Sequence, residues 1–269
     1  MAETNYIGIA ETNNGFTYQY YKIGDSGKKL IFLHGLAGCK DAQPYFFRKL
    51  LPDNTCYFLD LPGHNNLTLN GITDSESFYL YLKSFIDSKK LDNPVLVGFS
   101  IGGNVAYYFA KKYLTDTGIV LPTVLWSSPI FINETYLTPR GRFAIFLLSI
   151  LPRNTLKSKG SLEFLNKFVR KIGIPLTSQD LSAIMTFDSS SVKLYRKFLQ
   201  LPIYPTDPRE RTLFVYGTND VFIDDKIFEV ISTLNNSQQK FLVENGGHFS
   251  KDAFQQNSVE KIKTFIDSI

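Results

Sequence analysis

A short apolar strand that runs directly into Gly98-Phe99-Ser100-Ile101-Gly102 and then into a helix leaves this chain few folds to choose from. Val95-Leu96-Val97 is rich in β-branched residues and reads as a buried strand, and from Ile101 to Leu114 the apolar residues recur at helical spacing. A serine at the apex of so tight a strand-to-helix turn is a nucleophile elbow. Its backbone is strained, so the residues two before and two after must be small. The turn lifts the hydroxyl clear of the sheet and aims the helix's free N–H groups at the reacting carbon. A plain Gly-Ser loop shares the five-residue pattern, so the rest of the chain has to decide.

Before the elbow the chain alternates strand and helix. Tyr6 to Ala10 is expected to pair with Phe16 to Ile23 across Asn13-Asn14-Gly15, an antiparallel start to a sheet. Leu30 to Leu33 reads as a buried strand entering His34-Gly35-Leu36-Ala37-Gly38, and Tyr45 to Leu51 as a short helix. Thr55 to Leu59 is a further strand, ending in Asp60-Leu61-Pro62-Gly63-His64. Thr73 and Glu76 have capping-box spacing for a helix whose apolar face is Phe78, Leu82, Phe85 and Ile86. Ile119 to Trp126 supplies the strand after the elbow. Strand and helix in turn predict an α/β fold, a mostly parallel sheet with helices on both faces.

From Ser127 to about Pro208 the alternation stops, and prolines at 129, 139, 152, 175, 202, 205 and 208 break the chain into short helical pieces. It resumes with a strand at Thr212 to Tyr216, a helix at Asp225 to Leu234, a strand at Lys240 to Val243 and a closing helix at Val259 to Ile266. The domain reading is therefore a core made of residues 1–128 and 209–269, with 129–208 inserted as a helical cap over the carboxyl ends of the strands. The cap carries the positive charge. Between Asn133 and Arg211 thirteen basic residues face six acidic ones, a local +7 in a chain of net charge +4. It also holds the apolar run Phe143 to Leu151, flanked by Arg140, Arg142 and Arg153. Solvated helix faces and a buried wall account for both features. An apolar pocket with a basic rim, and peripheral membrane contact by the lid, stay open as the sharper alternative.

A serine hydroxyl needs a base, and the base an orienting carboxylate. His34 and His64 lie in loops that precede the serine, whereas His248 follows the last strand. The loop after Ile119 to Trp126 reads Ser127-Ser128-Pro129 and offers no acid, while the loop after Thr212 to Tyr216 offers Asp220. Asp224 and Asp225 are its neighbours, but they fall at a helix start, where capping explains them. Ser100, Asp220 and His248 are thus the candidate triad, in the order this topology requires. The backbone N–H groups of Ile101 and Leu36 are the candidate oxyanion donors. His34 reads as a hydrogen-bonding prop for the Leu36 loop. Leu36, Phe99, Phe143 and Phe146 are the candidate substrate-binding residues.

Over nearly its whole length outside the cap, the chain resembles the α/β-hydrolase fold superfamily. The matching pieces are His34-Gly35-x-x-Gly38, Asp60-Leu61-Pro62-Gly63-His64, Gly98-Phe99-Ser100-Ile101-Gly102-Gly103, Tyr216-Gly217-x-x-Asp220 and Gly247-His248. The resemblance implies a serine hydrolase acting on a small to medium ester or thioester, with residues 60–64 a structural loop beside the site. A serine at the elbow separates the chain from the branches that use aspartate there, the dehalogenases and epoxide hydrolases. The alternatives are a carbon–carbon hydrolase or lyase with the same triad, or a slow-turnover small-molecule receptor. Three histidines and no Gly-rich phosphate loop imply neither a metal nor an organic cofactor, and the mild net charge points to no nucleic-acid partner. With no secretory leader in residues 1–14 and no apolar run of about 20 residues, the chain reads as soluble and cytoplasmic. Cys39 and Cys56 fit no disulfide framework and are expected to be reduced and packed near the core.

Overall fold

Alternation within the strands builds the two faces of the sheet. In the computed structural model Leu30 and Phe32 of one strand join one apolar cluster, while Ile31 and Leu33 join the cluster on the opposite face. The structure describes residues 8–42, 53–69, 71–129, 136–150, 160, 163, 166–167, 170–171, 178–201, 209–233, 238–248 and 253–269. The helix expected at Tyr45 to Leu51 lies outside them, as do Pro152, Pro175, Pro202, Pro205 and Pro208.

The strands are β1 (Ile9–Asn13), β2 (Phe16–Ile23), β3 (Lys29–Leu33), β4 (Thr55–Leu59), β5 (Val95–Phe99), β6 (Thr123–Trp126), β7 (Thr212–Gly217) and β8 (Gln238–Val243). They form one eight-stranded sheet in the order β1-β2-β4-β3-β5-β6-β7-β8. From β4 onward every neighbouring pair is parallel, and β1 and β2 add an antiparallel edge. The first strand runs on to Asn13, three residues beyond the expected Ala10, while Tyr6 and Ile7 lie outside the described residues. Asn14 (φ 49°) and Gly15 (φ 80°) both take the left-handed backbone of a tight hairpin turn, so pairing runs up to Asn13 and Phe16.

Helices cover both faces. On one side lie α1 (Ser75–Ser88) and α2 (Ile101–Thr117), with α5 (Val192–Gln200) packed against them, and Phe78, Phe85, Phe109, Tyr195 and Phe198 are all buried there. On the other lies α7 (Ala253–Asp267), whose Val259, Ile262, Phe265 and Ile266 pack on Phe32, Val97, Val124 and Val215. Each such side chain contributes about 1.5–3 kcal/mol on leaving water. The start of α1 corrects the expected cap. Asp74, not Thr73, accepts the Ser77 N–H at 2.8 Å, and Ser77 Oγ in turn accepts the Asp74 N–H. A carboxylate three residues before a serine completes the box one position later than the Thr73–Glu76 spacing.

Between β6 and β7 the described residues hold α3 (Pro139–Ile150), α4 (Ser178–Met185), a 3₁₀ turn (Ser189–Ser191) and α5. Residues 136–138 return to the β7 end of the sheet. Leu137 bridges Ile223, the Thr138 N–H donates to the Phe222 carbonyl at 2.9 Å, and Thr138 Oγ1 donates to the Val221 carbonyl. The next helix, α6 (Ile227–Ser232), begins two residues after Asp225. Cys39 and Cys56 are free and buried, and burial pushes both thiols up to about 12. No described helix is long and apolar enough to cross a membrane.

Candidate active site

Three parallel strand ends deliver the side chains. At the end of β5, Ser100 takes φ 52° and ψ −127°, a conformation that costs on the order of 1–3 kcal/mol for a residue with a side chain. What holds it there is close packing on both sides. A Cβ on Gly98 would lie 2.4 Å from the Gly102 carbonyl oxygen, and one on Gly102 would lie 2.3 Å from the Leu33 carbonyl oxygen. No side chain fits at either position, so α2 approaches β3 and β5 closely enough to fix the turn. The Ser100 N–H donates to the Trp126 carbonyl at 2.9 Å, tying the elbow to β6.

Asp220 and His248 are brought together by the ends of β7 and β8. The Thr218 N–H donates to the Val243 carbonyl, the Asn219 N–H to that of Gly246 and the Asn245 N–H to Thr218 Oγ1. Asp220 Oδ2 and His248 Nδ1 are then 2.7 Å apart, with side-chain exposures of only 2% and 3%. The other carboxylate oxygen is also committed. Asp220 Oδ1 accepts the N–H groups of Phe222 at 2.8 Å and Ile223 at 3.0 Å. Asp224 serves its own turn, accepting the Lys226 N–H at 3.0 Å, and Asp225 is exposed. The Phe99 ring, one residue before Ser100, lies 5.0 Å from the His248 ring, and Phe222 stands edge-on to it at 4.9 Å. The imidazole is thereby clamped between the elbow and the acid loop. Phe222 was not singled out from the sequence, where an aromatic residue two positions after the acid is an ordinary loop residue.

The loop after β3 closes the remaining side. A Cβ on Gly35 would lie 3.1 Å from Ser100 Cβ, so this backbone passes directly beside Ser100. Its N–H groups are sorted by their partners. Gly38 donates to the Gly35 carbonyl, Ala37 to His64 Nε2 and Lys40 to Asp60 Oδ1, while among the described residues the Leu36 N–H makes no hydrogen bond. His34 does what the sequence suggested. Its Nδ1 faces the Gly35 carbonyl at 2.8 Å and must carry the proton, leaving Nε2 to accept the Leu61 N–H at 3.0 Å. Asp60, fully buried, holds Lys40 Nζ at 3.2 Å and the Asn65 amide at 2.8 Å.

Burial lowers the pKa of both loop histidines, and His64 is depressed further by His34 beside it. The rings therefore stay neutral in the folded protein near pH 7. Their contribution to stability is complete above the unfolded value near 6.5 and declines as pH falls toward the lower folded values. The thermal midpoint is expected to drop as pH is lowered from 7 to 5, less so in His64→Gln. An identical drop in that variant would assign the acid sensitivity to other groups.

The apolar wall beside the site is built by Ala37, Ile184, Phe187 and Val192, with Leu36, Phe222 and the α3 residues Ala144, Ile145 and Leu148 packed against them. Phe143 and Phe146, the α3 residues expected in the pocket, are 39% and 55% exposed. Since the run Phe143 to Leu148 covers every side of α3 with apolar residues, its sequence pattern alone does not say which of them turn inward. Arg140 and Arg142 are also exposed.

A model of the alpha/beta hydrolase family matches residues 30–257. A Mycoplasma genitalium protein that carries an esterase/lipase name is 25% identical over 261 residues, 89% of each chain. A Haemophilus influenzae protein named for 2-succinyl-6-hydroxy-2,4-cyclohexadiene-1-carboxylate synthase activity is 39% identical over 84 residues, 31% of this chain and 34% of that one. The chain thus spans about a third of the length of the synthase relatives it matches. Among solved structures, a membrane phospholipase A superposes with a TM-score of 0.75 at 18% identity, over 98% of this chain and 86% of that one.

Proposed function

We propose that this chain, which belongs to the alpha/beta hydrolase family, is a serine hydrolase that cleaves a small to medium ester or thioester through an acyl-enzyme. Ser100 attacks the carbonyl carbon while His248 takes its proton. The same imidazole returns the proton to the leaving group and then activates the water that releases the acid. Asp220 holds the tautomer in which Nδ1 donates and Nε2 accepts, and stabilises the imidazolium. The N–H groups of Leu36 and Ile101 receive the negative oxygen of each tetrahedral intermediate. Residues 129–208 act as the cap, with Ile145, Leu148, Phe187 and Phe222 beside the acyl chain. The observation that carries the reading is the buried 2.7 Å pair of Asp220 and His248, set against the residue that precedes Ser100. The relative with an esterase/lipase name, matched over most of both chains, supports ester cleavage over the shorter synthase match.

The test is a panel of p-nitrophenyl esters from two to sixteen carbons, run beside acyl-CoA thioesters. The expected result is multiple turnovers with an optimum at short to medium acyl length, all lost in Ser100→Ala. Saturable binding without turnover would instead identify a receptor of this fold. Turnover confined to a carbon–carbon substrate would identify the lyase or hydrolase alternative.

A further inference from the structure

His64 is outside the triad, yet it sits where three parts of the molecule meet. It is completely buried. Its Nε2 accepts the Ala37 N–H at 3.0 Å, and its Nδ1 faces the carbonyl oxygens of Leu61 and Pro62 at 3.2 Å each. Carbonyls only accept, so Nδ1 carries the proton and Nε2 presents the lone pair to Ala37. Ala37 has φ 56°, a left-handed backbone that a residue with a side chain takes only when its surroundings hold it there. The neighbouring Leu36 N–H, on the peptide immediately before, is the proposed oxyanion donor.

The ring is fixed by packing as well as by hydrogen bonds. His34 lies 4.7 Å away, Phe187 4.8 Å and Tyr195 5.1 Å. Phe187 and Tyr195 belong to the segment between β6 and β7, and that segment is bonded to the His64 loop at three further points. The Asn66 N–H donates to the Thr186 carbonyl, the Asp188 N–H to that of Gly63 and the Tyr195 hydroxyl to that of Pro62. Gly63 approaches the 3₁₀ turn so closely that a Cβ there would lie 2.5 Å from Ser191 Cβ.

We propose that His64 is a positioning residue: its Nε2 holds the Ala37 peptide and so sets the direction of the Leu36 N–H, linking the cap segment 186–195 to the stability of the oxyanion. The proposal rests on the serine-hydrolase reading above. It requires that losing this one acceptor lower kcat and leave KM nearly unchanged, because the oxyanion exists only during reaction and not in the bound ester.

Two near-isosteric variants separate the hydrogen bonds. The amide of Gln reaches the Nε2 position and can accept from Ala37, whereas that of Asn reaches only the Nδ1 position. On the best p-nitrophenyl ester, His64→Gln is expected within about threefold of wild type, and His64→Asn to lose about 10–100-fold in kcat with KM within about threefold, less than removal of a whole oxyanion donor. Equal kcat in the two variants, whether high or low, overturns the proposal. So does a loss that appears in KM alone. If His64→Asn does not fold, replacing the Ala37 peptide N–H by an ester oxygen removes the donor and leaves the ring in place. The same kcat loss is expected there, and wild-type kcat overturns the proposal. Ser100→Ala is run in parallel. If turnover does not need Ser100, the serine-hydrolase reading falls and this one with it. If turnover needs Ser100 but both His64 variants keep kcat, only the positioning role is lost.

Discussion

Asp220→Asn is expected to lower kcat by about 10²–10⁴-fold, with the fold and melting temperature nearly intact. The size of the effect follows from both carboxylate oxygens. Oδ1 accepts two backbone N–H groups, from Phe222 and Ile223, and only an oxygen satisfies them. The asparagine carbonyl must therefore take that side, which turns its NH₂ toward His248 Nδ1. Donor then faces donor unless the imidazole moves its proton to Nε2, and in that tautomer the ring no longer accepts a proton from Ser100. With the pair almost wholly buried, water does not repair the mismatch. Asp224→Asn and Asp225→Asn are expected within about threefold of wild type, since Asp224 accepts the Lys226 N–H of its own turn and Asp225 is exposed. Turnover measured on the three variants side by side decides the acid. A crippled Asp225→Asn with a normal Asp220→Asn would relocate it.

Gly102→Ala is expected to lower both stability and activity strongly. The added Cβ would lie 2.3 Å from the Leu33 carbonyl oxygen and 2.5 Å from that of His34. Both are backbone atoms at the end of β3, so relief requires α2 to move away from the sheet. Overpacking of this kind costs about 1–3 kcal/mol and more where backbone must shift. The same movement carries Ser100 and the Ile101 N–H with it, and a misplacement of about 1 Å costs on the order of 100-fold in rate. Gly160→Ala, where nothing among the described residues lies within 4 Å of the added Cβ, serves as the control. Equal melting temperatures for the two variants would contradict the packing account.

The parts of this molecule that could be read from the sequence are those fixed by local rules. Thr55 to Leu59 is a strand with its expected boundaries, because five consecutive buried residues leave the chain no solvated face. The elbow was legible because small residues two before and two after a serine have one steric reason to be there. Asp220 and His248, the proposed acid and base, could be paired by position, each falling at a strand end once the alternation was counted. What the sequence did not show depends on contacts between distant segments. The cap of α1 moved to Asp74 because two residues satisfied the helix N–H groups better than the spacing first suggested. Which side of α3 faces the apolar wall is set by Leu36, Ile184 and Phe222, from three separate stretches of chain. The bond from Ala37 to His64 spans 27 residues and links two loops whose sequences carry no common pattern. His64 could be recognised as near the site, but its acceptor role appears only once the ring's other nitrogen is seen committed to carbonyls.

The central claim is that one serine is activated, and covalent labelling tests it most directly. A fluorophosphonate phosphonylates a serine oxygen and expels fluoride, a reaction negligible at an unactivated hydroxyl. The native protein is treated with the reagent, its mass measured intact and the adduct located by peptide mapping. The account predicts one adduct per chain, on Ser100, absent from Ser100→Ala and strongly slowed in His248→Ala. An adduct on Ser127 or Ser128, or no adduct on a folded protein that turns over esters, would contradict it.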